Sequence, residues 1–375
     1  MMDHNNLRIA LAHHWLVGMR GGEKVLEQLC KMFPEAPIHC LVSEPNKLNG
    51  IISEKQIVSS LLQRVPAATR YYKHLLPFHP LAIANLRVAQ GTDVLISSDA
   101  ALIKGITVPE NTLHICYCHS PPRYLWEMGE EYRRSSLAAR FALNAFSKRL
   151  KAFDYRAAQN VTQFIANSEF VADRIRNYYD CDAVVVNPPV DVDAFDSTRP
   201  RDAHYLVVSE LVPYKRIDIA VKAFADHPDR RLVVIGDGSE RAKLQRIAGP
   251  NVTLMGRQPF AVLKEHYETA RAFIFPGIED FGITPVEAQA AGCPVIAFRK
   301  GGAMETVRDN ETGIFFDEQS SKSLSDAIRV FERSQITPDQ CRHNSERYTE
   351  SIFRDRMKQT INATLERHGV KTGAA

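Results

Sequence analysis

The chain has 375 residues, 45% hydrophobic and 24% charged, with a net charge of +3 and a pI near 8.4. That length holds two ordinary globular domains, and the charge lies far below the basic balance of a dedicated nucleic-acid binder, so no nucleic acid is expected as a partner. No apolar run approaches the ~20 residues of a membrane helix. The opening "MMDHNNLRIALAHHW" lacks a basic n-region and a long apolar core, so the protein is expected in the cytoplasm.

Taken in chain order, the strand-like runs of the first half are "LRIALAH" (7–13), "DVLISS" (93–98), "LHICYCH" (113–119), "QFIAN" (163–167) and "AVVVN" (183–187). Between the first two, Val25, Leu26, Leu29, Cys30 and Phe33 are spaced for one helix face. "NPPVDVDAFDSTRPRDAHY" (187–205), rich in Pro and Asp and without periodicity, reads as a linker. The second half resumes with "HYLVVS" (204–209), "RLVVIG" (231–236), "NVTLMG" (251–256), "AFIFPG" (272–277), "PVIAF" (294–298) and "GIFF" (313–316). A last segment, 351–369, carries Ile352, Phe353, Met357, Ile361 and Leu365 at helical spacing. Repeated βα units of this length predict an α/β protein of two doubly wound parallel sheets.

The seven cysteines are odd in number and scattered, unlike a disulfide framework. In "HICYCH" (114–119) an extended strand would put Cys116 and Cys118 on one face and His119 on the other, so buried small hydrophobes are expected there rather than a metal site.

The stretch "GIEDFGITPVEAQAAGCPV" (277–295) holds two carboxylates, Glu279 and Glu287, with seven residues between them. Thr284-Pro285-Val286-Glu287 has the form of a helix start, with Thr284 at N-cap, Pro285 first in the helix and Glu287 closing a capping box. Both glutamates then lie beyond the carboxyl end of a parallel strand, where open α/β sheets bind ligands. Glu287 has a structural task in this reading; Glu279 has none.

Two Rossmann-like domains suit a nucleotide-sugar glycosyltransferase or epimerase, a dinucleotide oxidoreductase, or a non-catalytic solute-binding protein. "GDGSER" (236–241) starts the glycine-rich dinucleotide pattern but ends in Arg241, and "MRGGEK" (19–24) does not fit it either. The solute binder usually works outside the cytoplasm. The nucleotide-sugar reading is therefore favoured.

The two spaced glutamates stand inside "EDFGITPVEAQAAGCPVIA", and further motifs follow in order along the chain: "RGGEKV" (20–25), "IANSEFVADRI" (165–175), "VVVNPPVDVDAF" (184–195), "LVPYKRIDIAVKAF" (211–224), "VIGDGSE" (234–240) and "GGAMETV" (301–307). With these the chain resembles, nearly end to end, the retaining family-4 glycosyltransferases of the GT-B fold. The resemblance implies two Rossmann-like domains facing across a cleft: an acceptor-side domain over 1–195, a nucleotide-sugar domain over 196–350, and a helix and tail over 351–375 packing back toward the N-terminal domain. It implies a nucleotide-diphosphate sugar as donor. The backbone of Gly21 and Gly22, the side chains of Lys215 and Arg216, and the backbone of Phe281, Gly282, Ile283 and Thr284 would meet the phosphates or sugar. Glu287 would take the ribose hydroxyls. Glu279 and His119, placed against the transferred hexose, are the catalytic candidates.

Two departures stand out. Ser209-Glu210 occupies the place where the family usually has an Arg, so Glu210 must point away or a cation such as Arg216 must compensate. Arg20 stands in place of the first glycine of the first loop. A rival architecture holds a metal on an Asp-x-Asp pair, and such pairs occur as Asp180-Cys181-Asp182 and Asp191-Val192-Asp193. The resemblance favours metal independence with no cofactor.

Residues 55–92 contain five Lys/Arg and no acid, and the core of that stretch adds Tyr, Phe and Leu. From Arg123 to Arg156 there are eight Lys/Arg against four Asp/Glu. Such mixtures suit either a solvated helix face over core residues or an interfacial surface on anionic lipid. The second choice predicts a peripheral protein at the inner face of the cell membrane, acting on a saccharide or lipid-linked acceptor in surface-polysaccharide (for example lipopolysaccharide) synthesis. "HSPPRYLW" is similar to the matching segment of bacterial polysaccharide mannosyltransferases, which favours GDP-mannose over a UDP-sugar.

Overall fold

Seven short runs rich in Val, Ile and Leu form the first sheet: β1 (Ile9–His13), β2 (Ile38–Cys40), β3 (Ile57–Ser59), β4 (Val94–Asp99), β5 (Leu113–Cys118), β6 (Gln163–Ala166) and β7 (Ala183–Val185). All pair in parallel, in the order β3-β2-β1-β4-β5-β6-β7. The second sheet holds β8 (His204–Val208), β9 (Arg231–Ile235), β10 (Val252–Gly256), β11 (Ala272–Phe275), β12 (Val295–Phe298) and β13 (Gly313–Phe316), again parallel, in the order β10-β9-β8-β11-β12-β13. The computed structural model describes residues 7–127 and 137–370, leaving aside the side chains of 137–145. Residues 1–6, much of the basic stretch between Arg123 and Arg156, and the tail beyond 370 lie outside the described residues.

A parallel sheet is covered by helices on both faces, so its strands are apolar on both. In β5 the two-residue period separates the faces: Ile115 and Tyr117 join one core cluster, Cys116 and Cys118 another. Both cysteines are buried and their thiols are pushed up by desolvation, which makes them small hydrophobes. All thirteen strands lie in one of two compact units, Met1–Asn187 with Phe353 onward, and Pro188–Ile352. By packing, the second unit begins at Pro188, with Val190, Val192 and Phe195 buried in its core.

The terminal helix, Glu350–Arg367, places Phe353, Met357, Ile361 and Leu365 one turn apart on a single face. All four are essentially inaccessible and belong to the same cluster as Leu11, Leu26 and Ile96 of the first unit. Each such burial contributes about 1.5–3 kcal/mol. Among the described residues no helix is long and apolar enough to cross a membrane.

Both sheets have a switch point, where the chain reverses its direction of travel across the sheet: between β1 and β4 in the first, between β8 and β11 in the second. Loops at the carboxyl ends of strands beside a switch point diverge to opposite faces and leave a crevice.

Candidate functional site

In the second unit the loops after β8 and β11 flank that crevice. The β8 loop runs through a short 3-10 turn, Pro213–Lys215, to Arg216, whose φ of 53° is left-handed. A non-glycine residue in that region is strained, and here it is the N-cap of the helix Ile217–Ala225. Lys215 Nζ forms an ion pair with the Glu279 carboxylate from the β11 loop, with the two side chains 14% and 22% exposed. Backbone packing enforces the approach: a Cβ at Gly277 would lie 2.9 Å from the Lys215 carbonyl oxygen. On the other side, the Gly302 N–H donates to the Glu279 carbonyl at 2.9 Å. Glu279 is thus held by its main chain between the loops after β8 and β12.

The helix under Glu287 starts earlier than its sequence signals imply. It spans Ile283–Ala290, with Gly282 at N-cap (φ 87°) and no side-chain cap. A glycine in the left-handed region turns the chain tightly enough that Thr284 is already helical, so the expected Thr284–Glu287 capping box does not form. Pro285 falls in the first turn, where its missing N–H costs no intrahelical bond. Glu287, relieved of capping, accepts from the Tyr267 hydroxyl at 3.2 Å. Burial and the neighbouring carboxylate push the Tyr267 phenol well above its usual range, so it remains a donor. The Phe281 ring is buried against Tyr348 at 5.3 Å and anchors the loop, leaving only its backbone for a ligand. Arg216 Nε donates to Asp218 at 3.2 Å, and Glu210 is exposed.

The first unit brings a second group together at its own switch point. Gly21 and Gly22 open the helix Gly21–Met32 that follows β1, and the amides of a first turn lack intrahelical partners. Gly22 lies against the rings of His13, at the end of β1, and of His119, just past β5. Ser98 on β4 sits between the two histidines: its Oγ is 3.1 Å from His13 Nδ1 and 2.8 Å from His119 Nε2. Glu23 accepts from the Arg20 backbone N–H at 3.0 Å through Oε2, and Oε1 lies 3.8 Å from His13 Nε2. Burial raises the Glu23 pKa, but His13 and the backbone N–H groups of Glu23 and Arg20 together outweigh it and the net shift is downward, so the carboxyl is ionised. His14 beside them is held well below the usual imidazole range, by burial first and then by His13 and His119, and is neutral. His119 is fixed through its backbone, donating to the Asp99 carbonyl at 2.8 Å and accepting from Asn167 Nδ2 at 2.9 Å. The turn after it is pinned as well: buried Arg174 pairs with Glu127 and donates to Ser120 Oγ at 3.1 Å, and Trp126 Nε1 donates to Asp154 at 2.8 Å.

Three of the four Asp-x-Asp residues have contacts of their own. Asp180 is the left-handed C-cap of the helix Glu169–Tyr179, Asp182 lies 3.6 Å from Arg176, and Asp193 pairs with Arg342 at 2.8 Å. Among the described residues no group of three or more His, Cys, Asp and Glu is arranged to hold a metal ion.

Residues 19–194 match the family model described as Glycosyltransferase Family 4, and residues 191–348 that described as Glycosyl transferases group 1. The chain belongs to the family-4, group-1 glycosyltransferases. It is 33% identical over 138 residues to the GDP-mannose-dependent alpha-(1-6)-phosphatidylinositol monomannoside mannosyltransferase of Mycolicibacterium smegmatis, a match covering 32% of this chain and 36% of that protein. To the D-inositol 3-phosphate glycosyltransferase of Mycobacterium sp. (strain KMS) it is 30% identical over 189 residues, 44% of this chain and 43% of that one. The matches thus span less than half the length of either relative. In fold it is similar to HepE of Anabaena in complex with UDP-glucose, with a TM-score of 0.69 at 16% identity over 95% of this chain and 99% of that one. These similarities establish GT-B for this family member.

Lys215 and Glu279, both marked by motif, pair in the second unit, whereas His13, Ser98 and Glu23, which are not among the sequence candidates, lie together in the first. His13 and Ser98 carry a signal in the sequence: polar residues ("AHH", "SSD") at the carboxyl ends of two otherwise apolar strands are unusual in a parallel sheet unless they face a site.

Proposed function

We propose that this glycosyltransferase moves a hexose, with retention at the anomeric carbon, from a nucleotide-diphosphate sugar to a lipid-linked saccharide acceptor in the synthesis of a cell-surface polysaccharide. GDP-mannose is the favoured donor. The observation that carries the reading is the Lys215–Glu279 pair at the switch point of the second sheet, beside the first turn of the helix Ile283–Ala290. A nucleoside diphosphate needs cationic and N–H partners, which Lys215 and the amides of Gly282, Ile283 and Thr284 supply. Arg216 adds positive charge to the same loop. Glu287, oriented by Tyr267, would accept from ribose hydroxyls. Once phosphate displaces Glu279 from Lys215, its carboxylate is available to the sugar. By the family resemblance, Gly21, Gly22 and His119 are the candidates at the first unit's own switch point. The leaving phosphate, stabilised by Lys215, would take the acceptor proton as the new bond forms. The mannose preference draws on the name of the Mycolicibacterium relative; a UDP-sugar is the second reading, favoured by HepE and its UDP-glucose.

A donor screen by thermal shift and hydrolysis, over GDP- and UDP-sugars with and without EDTA, tests this. GDP-mannose should stabilise and be hydrolysed, and EDTA should change neither, because Lys215 and helix N–H groups do the work of a cation. Response to UDP-sugars alone would install the second reading. Activity lost on chelation and restored by Mn²⁺ or Mg²⁺ would refute metal independence.

For the acceptor, the region between β3 and β4 is informative. Its short helical turns expose Leu61, Val65, Tyr71, Phe78 and Leu81, the last two at 56% and 67%. Arg70 and Lys73 are exposed among them, lying over the rings of Tyr71 and Tyr72. A surface both apolar and basic suits anionic lipid at the cytoplasmic face. Replacing Arg70 and Lys73 with Glu should release the protein from anionic vesicles, since each positive charge contributes about 1 kcal/mol there. Wild-type binding should also weaken toward 1 M salt, as the Debye length falls to ~3 Å. Donor hydrolysis should hardly change. A wild-type protein that ignores anionic vesicles at low salt would leave a soluble glycan as the acceptor.

A further inference from the structure

We propose that Gln289 is a positioning residue, which through the short helix Ala303–Thr306 fixes where Glu279 stands relative to Glu287. Gln289 lies two positions after Glu287 in the helix Ile283–Ala290, and it is completely buried. An amide in such a place is costly unless its polar atoms are paired. Here they are. Nε2 donates to the carbonyls of Pro285 at 3.1 Å and Thr306 at 2.8 Å, and Oε1 accepts from Asn344 Nδ2 at 2.7 Å. Only the nitrogen end of an amide can face two carbonyl oxygens, so the partners fix which end is which. Asn344, buried in the helix Pro338–Ser345, gives its second N–H to the same Thr306 carbonyl at 2.9 Å.

Thr306 ends a four-residue helix whose other end lies on the loop of Glu279. The Gly302 N–H donates to the Glu279 carbonyl at 2.9 Å, and the Gly302 carbonyl accepts from Thr306 N and Oγ1 at 3.1 and 3.2 Å. The approach leaves no room for side chains: a Cβ at Gly301 would lie 2.5 Å from the Glu279 carbonyl oxygen, and one at Gly302 would overlap Phe281 Cα. A hydrogen-bonded path thus runs from the main chain of Glu279 through Gly302 and Thr306 to Gln289. Gln289 returns it to Pro285, two residues before Glu287. Apolar contact is non-directional and tolerates a slide, whereas hydrogen bonds weaken as they lengthen and bend. A shift of the 303–306 helix would leave two buried amides unpaired, so the network specifies placement. The part Glu279 plays in the reaction rests on the reading given above; its placement does not.

The test uses the full chain carrying Gln289→Met, which keeps the length of the side chain and removes its hydrogen bonds. Exchange of the Gly302 amide, read by NMR, should become at least ~10-fold faster, as local opening is eased. Hydrolysis of GDP-mannose, or of a UDP-sugar if the donor screen selects one, should fall roughly tenfold in kcat, the scale of a small misplacement. Affinity for GDP (or UDP in that case) should stay within about twofold, because Lys215 and the amides of Ile283 and Thr284 do not hang on the 303–306 helix. Asn344→Leu should act in the same direction, and it carries the test if Gln289→Met does not fold. The double variant should lose less than the product of the single losses, since both residues share one acceptor. Ile328→Ala, in a different core cluster of the same unit, lowers stability without touching the network and should leave kcat unchanged. Unchanged Gly302 exchange overturns the inference, and so does an equal fall in kcat in Ile328→Ala. Faster exchange with unchanged kcat overturns it too where Glu279→Gln has lost its turnover. If Glu279→Gln keeps its turnover, the role of Glu279 fails while the placement by Gln289 stands.

Discussion

Glu279→Gln should fold normally and lose at least ~100-fold in turnover, because a preorganised carboxylate beside a developing oxocarbenium ion supplies several kcal/mol. Apart from the ion pair to Lys215, the contacts that shape the loop do not depend on the charge. Glu279 is held through its carbonyl by the Gly302 N–H, Gly277 packs on the Lys215 backbone, and Phe281 is anchored in the core. The ion pair adds a second expectation. Lys215 loses its anionic partner in the variant, so affinity for the nucleoside diphosphate should hold or tighten while kcat falls. A loss confined to kcat is the signature of an interaction made in the transition state. Steady-state hydrolysis with calorimetric titration of GDP would read both. Retention of more than half the wild-type turnover would remove Glu279 from the chemistry.

Lys215→Ala should act on the other parameter. A charge-assisted contact to phosphate is worth roughly 1.5–3 kcal/mol, so nucleoside-diphosphate affinity should fall roughly ten- to a hundred-fold. The upper end is expected, since the substitution also leaves the Glu279 carboxylate without its cation, next to the incoming phosphates. Adding Glu279→Gln to Lys215→Ala should therefore restore part of the lost affinity, as it does when two residues share one interaction. NADH should bind neither form. Tight NADH binding, or GDP and UDP both silent in calorimetry, would sink the donor-site reading and return the oxidoreductase or a non-catalytic binder to consideration.

The departures from the family pattern resolve differently. Glu210 is exposed, and Arg216 has its guanidinium on Asp218. The site is therefore not built around Glu210. Lys215 pairs with Glu279, and Arg20 contributes its backbone N–H to Glu23.

The two-sheet α/β architecture was legible in the residues because parallel strands are buried on both faces and so appear as unbroken apolar runs. Eleven of the thirteen strands described stood out as mainly apolar runs, although β7 and β10 are partly exposed. The exceptions, Ile38–Cys40 and Ile57–Ser59, are three-residue strands toward one edge of the first sheet, too short and too polar to show a period. The terminal helix declared itself through the spacing of Phe353, Met357, Ile361 and Leu365, and the spaced glutamates through their motif. Local signals misled at Thr284, where a glycine able to adopt positive φ overrode a good capping sequence. What only the tertiary structure decided is which distant residues meet. Lys215 and Glu279 stand 64 positions apart and pair because β8 and β11 are neighbours across the switch point. His13, Ser98 and His119 end or follow three adjacent strands, and no spacing along the chain records that adjacency. Periodicity reports how a segment meets its own core; sheet order, which sets what lies beside a strand's carboxyl end, is fixed by crossover connections that leave no mark on either strand.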